Sequence, residues 1–453
     1  MWARLVADTR FRRLLLALGI YAVATGVYFA FAAPATLTEH TPWNHFALLA
    51  DSWLHGRLDL GGLPPAYAGN NDFALYQGHW YIVFPPFPAL LLLPFVALAG
   101  AATNVQDGQF FIWLAGIAPA VLFLALEKLR RTGRSSRSTP TNVVLAFLFA
   151  FGSVYFSSAE QGTVWFAAHI VGAMLAALYL LFALDASQPM LAGAAIGLGF
   201  MTRSPLLFAV PLFALEAIRV SLRTPQQMQH EVLHKGVRGE LDRPWRRLDK
   251  GRLLRLYVAF AIPILVVLGA AFRLNQLRFG SPFDFGYEHL TVGWHARMQR
   301  WGLFSYHYLA KNLGVVLTSL PYVTHAPAQA PFQVNGHGLA LWVTTPLYLW
   351  LLWPRRTGFL HWALWLTVAA VAVPTLFYQN TGWEQFGYRF SNDYAVFLFA
   401  LLAVGGSRFR TLFTAAALWS VLVNGFGAAT WHRSGFSAYY YTEPSQKVLY
   451  QPD

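Results

Sequence analysis

Apolar runs of about 20 residues recur from one end of this chain to the other, and a run of that length is what an α-helix needs to cross a bilayer. Inside hydrocarbon every backbone N–H and C=O must be satisfied within the protein, which leaves helices or closed barrels. The runs are continuous rather than alternating, so the chain reads as an all-α polytopic membrane protein. Composition agrees. Hydrophobic residues make up 56% and charged residues only 12% of the 453 positions, against about 25% charged in soluble domains. There is no cysteine, which excludes disulfides, thiolate metal sites and cysteine nucleophiles.

The first run, Leu14 to Ala33, has basic residues before it and an A-x-A-like end at Ala30-Phe31-Ala32. Its 20 residues exceed the roughly 7–15 of a signal-peptide core. We read it as an uncleaved first span, with Arg4, Arg10, Arg12 and Arg13 held in the cytoplasm.

The stretch FPPFPALLLLPFVALAG, 84–100, is as apolar as a span but carries four prolines. A helix can start at Pro88, but Pro85 and Pro86 stop it from extending backwards. From Phe87 to Leu98 it would measure about 18 Å, against about 30 Å of hydrocarbon. It is expected to dip or lie in the interface and return to the side it came from.

With that segment not crossing, eleven spans are expected, near 14–33, 109–127, 142–158, 165–184, 189–203, 205–218, 256–274, 337–353, 358–378, 391–405 and 411–430. The N-terminus is then inside and the C-terminus outside. Of 33 Lys and Arg, 23 fall inside, ten of them in a basic cytoplasmic loop at 219–255. That bias is the determinant of orientation. If 84–100 crossed, both this loop and KLRRTGRSSRS, 128–138, would face outward. The net charge of +13 thus marks one side of a membrane, and no nucleic-acid partner is expected. The chain is expected to be a multi-pass protein of the bacterial inner membrane, one membrane domain with an outer tail at 431–453.

The outer pieces carry the candidate chemistry. The first outer loop, 34–108, includes an expected interfacial helix at 43–56 and a second at 87–99. At 100° per residue Phe46, Leu49, Ala50, Trp53 and Leu54 share one face of the first. Asn44, Asp51 and His55 gather opposite, joined by Ser52 and His45, as in a helix lying on a membrane surface. That places a carboxylate and imidazoles where a lipid headgroup sits. Asp72 and His79 are polar points in NNDFALYQGHWYIV. Arg203 stands at the outer boundary where two short spans meet. An arginine there snorkels or holds phosphate. GWEQFGYRFSNDY, 382–394, sets Glu384, Gln385, Arg389 and Asp393 around the start of the tenth span.

Four stretches, WNHFALLADSWLHG, YQGHWYIVFPPFPALLLLPF, GLGFMTRSPLLFAVPLF and EQFGYRFSNDYAVFLFALL, together with this layout, resemble the GT-C superfamily of membrane glycosyltransferases. Protein O-mannosyltransferases and lipid A aminoarabinose transferases show a comparable pattern. The resemblance spans most of the chain and implies a GT-C-like fold and transfer of sugar from a polyprenyl-phosphate donor at the outer face. Relatives place an acidic residue, often an Asp-Glu pair, just after the first span. Here that region reads PATLTEHTPWNH, with Glu39 and no Asp. The base role therefore falls to Glu39, Asp51 or Asp72, the acceptor hydroxyl needing a base within reach. Arg203 and Arg389 would hold the departing phosphate, with Asn44, His45, His55, Gln385 and Asp393 as further substrate-binding candidates. Membrane lipids and an acceptor of unknown kind, lipid, glycan or protein, are the other partners implied. No cofactor is certain. A divalent metal stays open: His40, His45, His55, His79, His289, His295 and His307 are outer but show no ligand spacing.

Two other classes compete. HEVLH, 230–234, fits the H-E-x-x-H zinc pattern, but lies in a charged loop with only Glu240 or Asp242 as a third ligand. A transporter of lipid-linked saccharide would share the aromatic load, 16%. Transporters gather ionisable residues at mid-bilayer, whereas here they stand at the outer ends of spans.

Overall fold

A computed structural model describes residues 9–65, 72–222, 248–324 and 330–441. The HEVLH stretch lies outside them. The first helices are α1 (Arg10–Phe31), α2 (Pro34–Thr38) and α3 (His45–Leu54), followed by the hairpin β1 (Phe73–Tyr76) and β2 (His79–Ile82) and by α4 (Phe87–Ala99). Then come α5 (Asp107–Ala115), α6 (Ile117–Arg131), α7 (Thr139–Phe151), α8 (Tyr155–Ala159), α9 (Val164–Ala183), α10 (Pro189–Phe200), α11 (Val210–Ser221) and α12 (Lys250–Phe279). The last part holds α13 (His295–Trp301), α14 (Leu309–Thr318), β3 (Tyr322–Val323), β4 (Phe332–Asn335), α15 (Leu341–Thr344), α16 (Phe359–Leu376), α17 (Asn392–Val404), α18 (Thr411–Thr430) and β5 (Tyr440–Tyr441).

Seven helical segments among the described residues are long and apolar enough to cross a membrane: Arg10–Phe31, Asp107–Arg131, Val164–Ala186, Ser204–Ser221, Lys250–Phe279, Phe359–Leu376 and Thr411–Thr430. Shorter apolar helices are α4, α7 and α10. The sequence expectation of a helical span at 337–353 meets a different structure. Only Leu341–Thr344 is α-helical, and a 3-10 helix runs from Pro346 to Leu352. Pro346 has no N–H to continue the helix and its ring disfavours helical backbone at Thr345.

Local sequence sets the helix ends. Thr9 and Asp249 accept hydrogen bonds from Arg12 N and Arg252 N at the starts of α1 and α12, satisfying free first-turn donors. Ser138 does the same for α7. Helix α4 starts right after Pro86 and stops at Gly100, whose φ of 80° suits a residue without a side chain. At 13 residues it is about 20 Å long, and α3 packs along it.

The core is built on α9 and α17. All 13 residues of α17 are buried, as expected of a helix apolar on every side, and α9 packs against α6, α10 and α17. Helix α12 lies outside, held through α10, where an added Cβ at Gly193 would overlap the Phe260 carbonyl. Small residues let helix backbones approach this closely in membranes.

One end of this bundle is tied by charge. Arg134 Nη2 donates to Glu216 Oε1 at 2.6 Å, and Arg219 pairs with both Glu216 and Asp185. Lys128 Nζ donates to the Leu181 and Leu184 carbonyls. At the other end the chain after α18 returns, and β5 pairs in parallel with β4 through Val334↔Tyr440.

Candidate functional site

Beyond the C-terminal end of α18 and the N-terminal end of α17 lies a cavity of about 700 Å³. Asp72, Arg203, Glu384, Arg389 and His432 are its charged or titratable lining, and Trp43, Trp165, Phe166, Tyr287, Tyr378 and Trp383 supply much of its wall. A mostly aromatic cavity with a few convergent polar groups is the usual form of a small-molecule site.

Asp72 stands at the base of the β1–β2 hairpin, whose register Phe73↔Ile82 to Tyr76↔His79 is closed by Gln77 and Gly78 at positive φ. Such two-residue turns match the twist of paired strands. The hairpin is fixed to the following loop by Thr291 N donating to Phe73 O at 3.1 Å. Trp165 Nε1 donates to Asp72 Oδ2 at 3.0 Å. Burial pushes the Asp72 carboxyl up to about 6, against the opposing pull of the Trp165 hydrogen bond and of Arg389.

Arg389 begins the 3-10 turn Arg389–Ser391 that leads into α17. Its backbone N–H donates to Gln385 Oε1 at 3.0 Å, while Gln385 Nε2 donates to the His337 and Thr381 carbonyls. The guanidinium gives Nη1 to the Trp383 carbonyl at 3.2 Å, and its buried Nε has no protein partner. Burial, reinforced by repulsion from Arg203, pulls this guanidinium down to about 9.

Arg203, after α10, is differently placed. Nε and Nη2 clamp the Asp393 carboxylate at 3.0 and 2.7 Å. His169 Nδ1 approaches Asp393 Oδ1 at 3.3 Å from α9. Gly172 leaves room for the arginine stem, since an added Cβ would stand 2.9 Å from Arg203 Cγ. Arg203 thus faces the cavity already ion-paired, whereas Arg389 makes no ion pair among the described residues.

His432 Nε2 lies 4.0 Å from Glu384 Oε2. The His432 segment is anchored by Arg433, whose Nη2 donates to Glu160 Oε2 and to the Phe31 carbonyl, each at 2.6 Å. Asp72, Trp383, Glu384 and His432 all hold positive φ, 64°, 25°, 50° and 56°. Non-glycine residues pay conformational energy there, and such strain collects at functional sites.

The other sequence candidates fall elsewhere. Glu39 is exposed at the end of α2, and Asp51 lies 3.7 Å from His55 on the outside of α3. None of these three lines the cavity. The polar face expected of the 43–56 helix is partly interior, because Asn44, His45 and Ser52 are buried. His45 stacks on Phe73 at 4.7 Å, and burial pulls its imidazole down to about 4. It supports the strand beside Asp72 as an uncharged ring. Gln385 and Asp393 are buried and hold Arg389 and Arg203. The cavity residues that the sequence did not single out include Tyr287, Tyr378, Trp383 and His432. They come from separate loops without a shared spacing. Among the described residues no three His, Asp or Glu side chains converge as a metal site. His79 and His289 each meet one carboxylate, Asp59 and Asp284.

This arrangement of helices is similar to the fold of an archaeal oligosaccharyltransferase. The apo oligosaccharyltransferase of Archaeoglobus fulgidus has a TM-score of 0.50 with this chain at 13% identity, over 93% of this chain and 56% of that one. The archaeal enzyme AglB from the same organism, in complex with an inhibitory peptide and a dolichol-phosphate, gives 0.49 at 14% identity, over 97% and 57%. ArnT from Cupriavidus metallidurans bound to undecaprenyl phosphate gives 0.40 at 13% identity, over 90% and 62%. The chain spans little more than half the length of the archaeal structures. No family model matches it, and no curated protein does.

The raised Asp72 carboxyl makes a stability prediction. Between about pH 4 and pH 6 the folded state keeps a proton that the unfolded state has lost, so this group's contribution falls as pH rises through that window. Asp72→Asn should flatten that slope in detergent melts across pH 4–7. An unchanged slope would show that Asp72 is not desolvated.

Proposed function

We propose that this protein transfers a sugar from a polyprenyl-phosphate donor to an acceptor hydroxyl, in the cavity between Asp72 and Arg389. The observation that carries the reading is that pairing: a buried guanidinium with an unpartnered Nε and a carboxyl raised to about 6 face one aromatic-walled cavity. The fold shared with an archaeal oligosaccharyltransferase supports it.

Asp72 acts as the base among the three carboxylates named from sequence, since Glu39 and Asp51 stand outside the cavity. The acceptor oxygen attacks the anomeric carbon and its proton passes to Asp72. The bond from that carbon to the phosphate oxygen breaks, and the phosphate leaves on its lipid. Negative charge grows on the leaving oxygen, where a fixed donor is most effective. Arg389 supplies it, with the remaining Nη1 of Arg203 beside it. Aromatic side chains such as Trp165 and Trp383 offer flat faces for the sugar. The prenyl chain enters between spans from the bilayer. Residues 84–100 return without crossing, and the cavity faces outward, as the distribution of Lys and Arg supports.

The test is turnover by purified full-length protein in detergent with radiolabelled polyprenyl-phosphate sugars. Without two compartments, turnover separates transfer from transport. Asp72→Asn should lower the rate by roughly 10²-fold or more, and Arg389→Gln by about 10²–10³-fold. With the wild type, kcat/KM should fall as pH drops through about 6, where Asp72 gains its proton. Full activity of Asp72→Asn, or no turnover with any lipid-linked donor, would reject the reading. Orientation has its own check in a chain that lacks cysteine. An impermeant thiol reagent on intact cells should label Glu39→Cys and spare Arg408→Cys, and the reverse would invert the topology.

A further inference from the structure

A second cavity, of about 790 Å³, opens beside the N-terminal half of α18. Four tryptophans, Trp342, Trp350, Trp353 and Trp419, form much of its wall, and Arg355, Arg408 and Arg410 stand at its rim. Helix α18 has 20 residues, a length of about 30 Å that matches the hydrocarbon core. Arg408 and Arg410 precede its first residue, Arg355 N donates to the Gly405 carbonyl just before them, and His432 of the other cavity follows its last. The two cavities therefore belong to opposite membrane faces.

The groove runs along one side of α18. Leu412, Ala415, Ala416 and Trp419 line it, positions that recur on one helix face, over about 10 Å of rise. Its wall is open to the surroundings: Trp353 is 71%, Leu412 73% and Trp419 53% exposed. Trp419 and Trp342 are held in place, donating through Nε1 to the Val343 and Leu317 carbonyls at 2.9 and 2.8 Å. Tryptophans commonly ring a membrane protein at the interface, but these enclose a single space.

Charge decides the occupant. At this end of the bundle the ion pairs join Arg130, Arg134 and Arg219 to Glu127, Asp185 and Glu216. Arg355, Arg408 and Arg410 stand outside these pairs and are exposed. The loop before α7 belongs to the same end, since Arg137 Nη2 donates to the Leu402 and Ser407 carbonyls. Three arginines with no described carboxylate partner, above an apolar slot open to the bilayer, fit a negatively charged headgroup with chains beneath it.

We infer that this groove is a binding site for an anionic glycerophospholipid of the facing leaflet, its phosphate held by Arg355, Arg408 and Arg410 and its acyl chains lying along Trp419 and Trp350. The site is independent of the sugar-transfer reading, because about 20 Å of helix rise separates Trp419 from His432 of the other cavity. Three basic side chains near a lipid phosphate give a preference of roughly 100-fold over a neutral lipid.

Native mass spectrometry of the full-length protein, delipidated and titrated with phosphatidylglycerol or phosphatidylcholine, tests this. The wild type should retain phosphatidylglycerol at roughly 100-fold lower lipid concentration than phosphatidylcholine. The triple substitution Arg355→Gln, Arg408→Gln, Arg410→Gln should bring the two lipids level. Ala416→Trp, which fills the slot and keeps the charge, should lose bound lipid too. Equal retention of both lipids by the wild type would overturn the site. So would a preference that survives Ala416→Trp, which would mean surface charge without a groove. Displacement of phosphatidylglycerol by equimolar polyprenyl phosphate would overturn the choice of occupant. A dimer abolished by Ala416→Trp would assign the groove to a second copy and overturn it as well.

Discussion

Arg203 and Asp393 lie 190 positions apart and meet in a bidentate pair, and the cavity depends on that contact. It fastens the end of α10 to the first turn of α17, with His169 of α9 as a third member. Asp393 sits where a helix N-terminus favours negative charge. Removing one partner of such a buried pair typically costs about 3–5 kcal/mol, because the other charge is left uncompensated. The pair also divides labour between two arginines that look equivalent in sequence. Arg203 is neutralised within the protein. Arg389, four positions before Asp393, gives Nη1 to backbone carbonyls and keeps an unpartnered Nε. On the proposed function, that guanidinium receives the anion of the lipid-linked donor.

The strained residues fit the same picture. Four positive-φ side chains line the cavity, two of them adjacent at Trp383-Glu384. Gln385 bridges this turn to His337 and holds the Arg389 backbone. Arg433 ties the segment carrying His432 to Glu160 and α1, and burial pushes the Glu160 carboxyl up to about 8 despite that arginine. The polar parts of the wall are therefore fixed by buried contacts behind them as well as by contacts between wall residues, such as Trp165 with Asp72.

Much of the architecture was legible because it is local. Apolar runs mark long helices, Pro85-Pro86 marks the start of α4, and helical periodicity marks α3. At 337–353 hydropathy alone was misleading, since Pro346 splits an apolar run into a short α-helix and a 3-10 turn. The site was legible only in part. Asp72, Arg203 and Arg389 stood out as charges in apolar surroundings, and all three line the cavity. Glu39 and Asp51 looked equally apt, because sequence shows a carboxylate but not whether packing covers it. Asn44, His45 and Gln385 read as ligand-facing polar groups and are interior supports. Tyr287, Tyr378 and His432 arrive from three loops brought together only by tertiary packing.

The proposed function requires Arg389 to hold a lipid-borne phosphate. Phosphorus NMR of a polyprenyl phosphate bound to purified protein measures this directly, in mixed micelles with phosphatidylglycerol in excess to saturate the groove at the far end of α18. The phosphate signal should shift with the wild type and with Asp72→Asn, and return to its free position with Arg389→Gln. A shift that persists in Arg389→Gln would contradict the account.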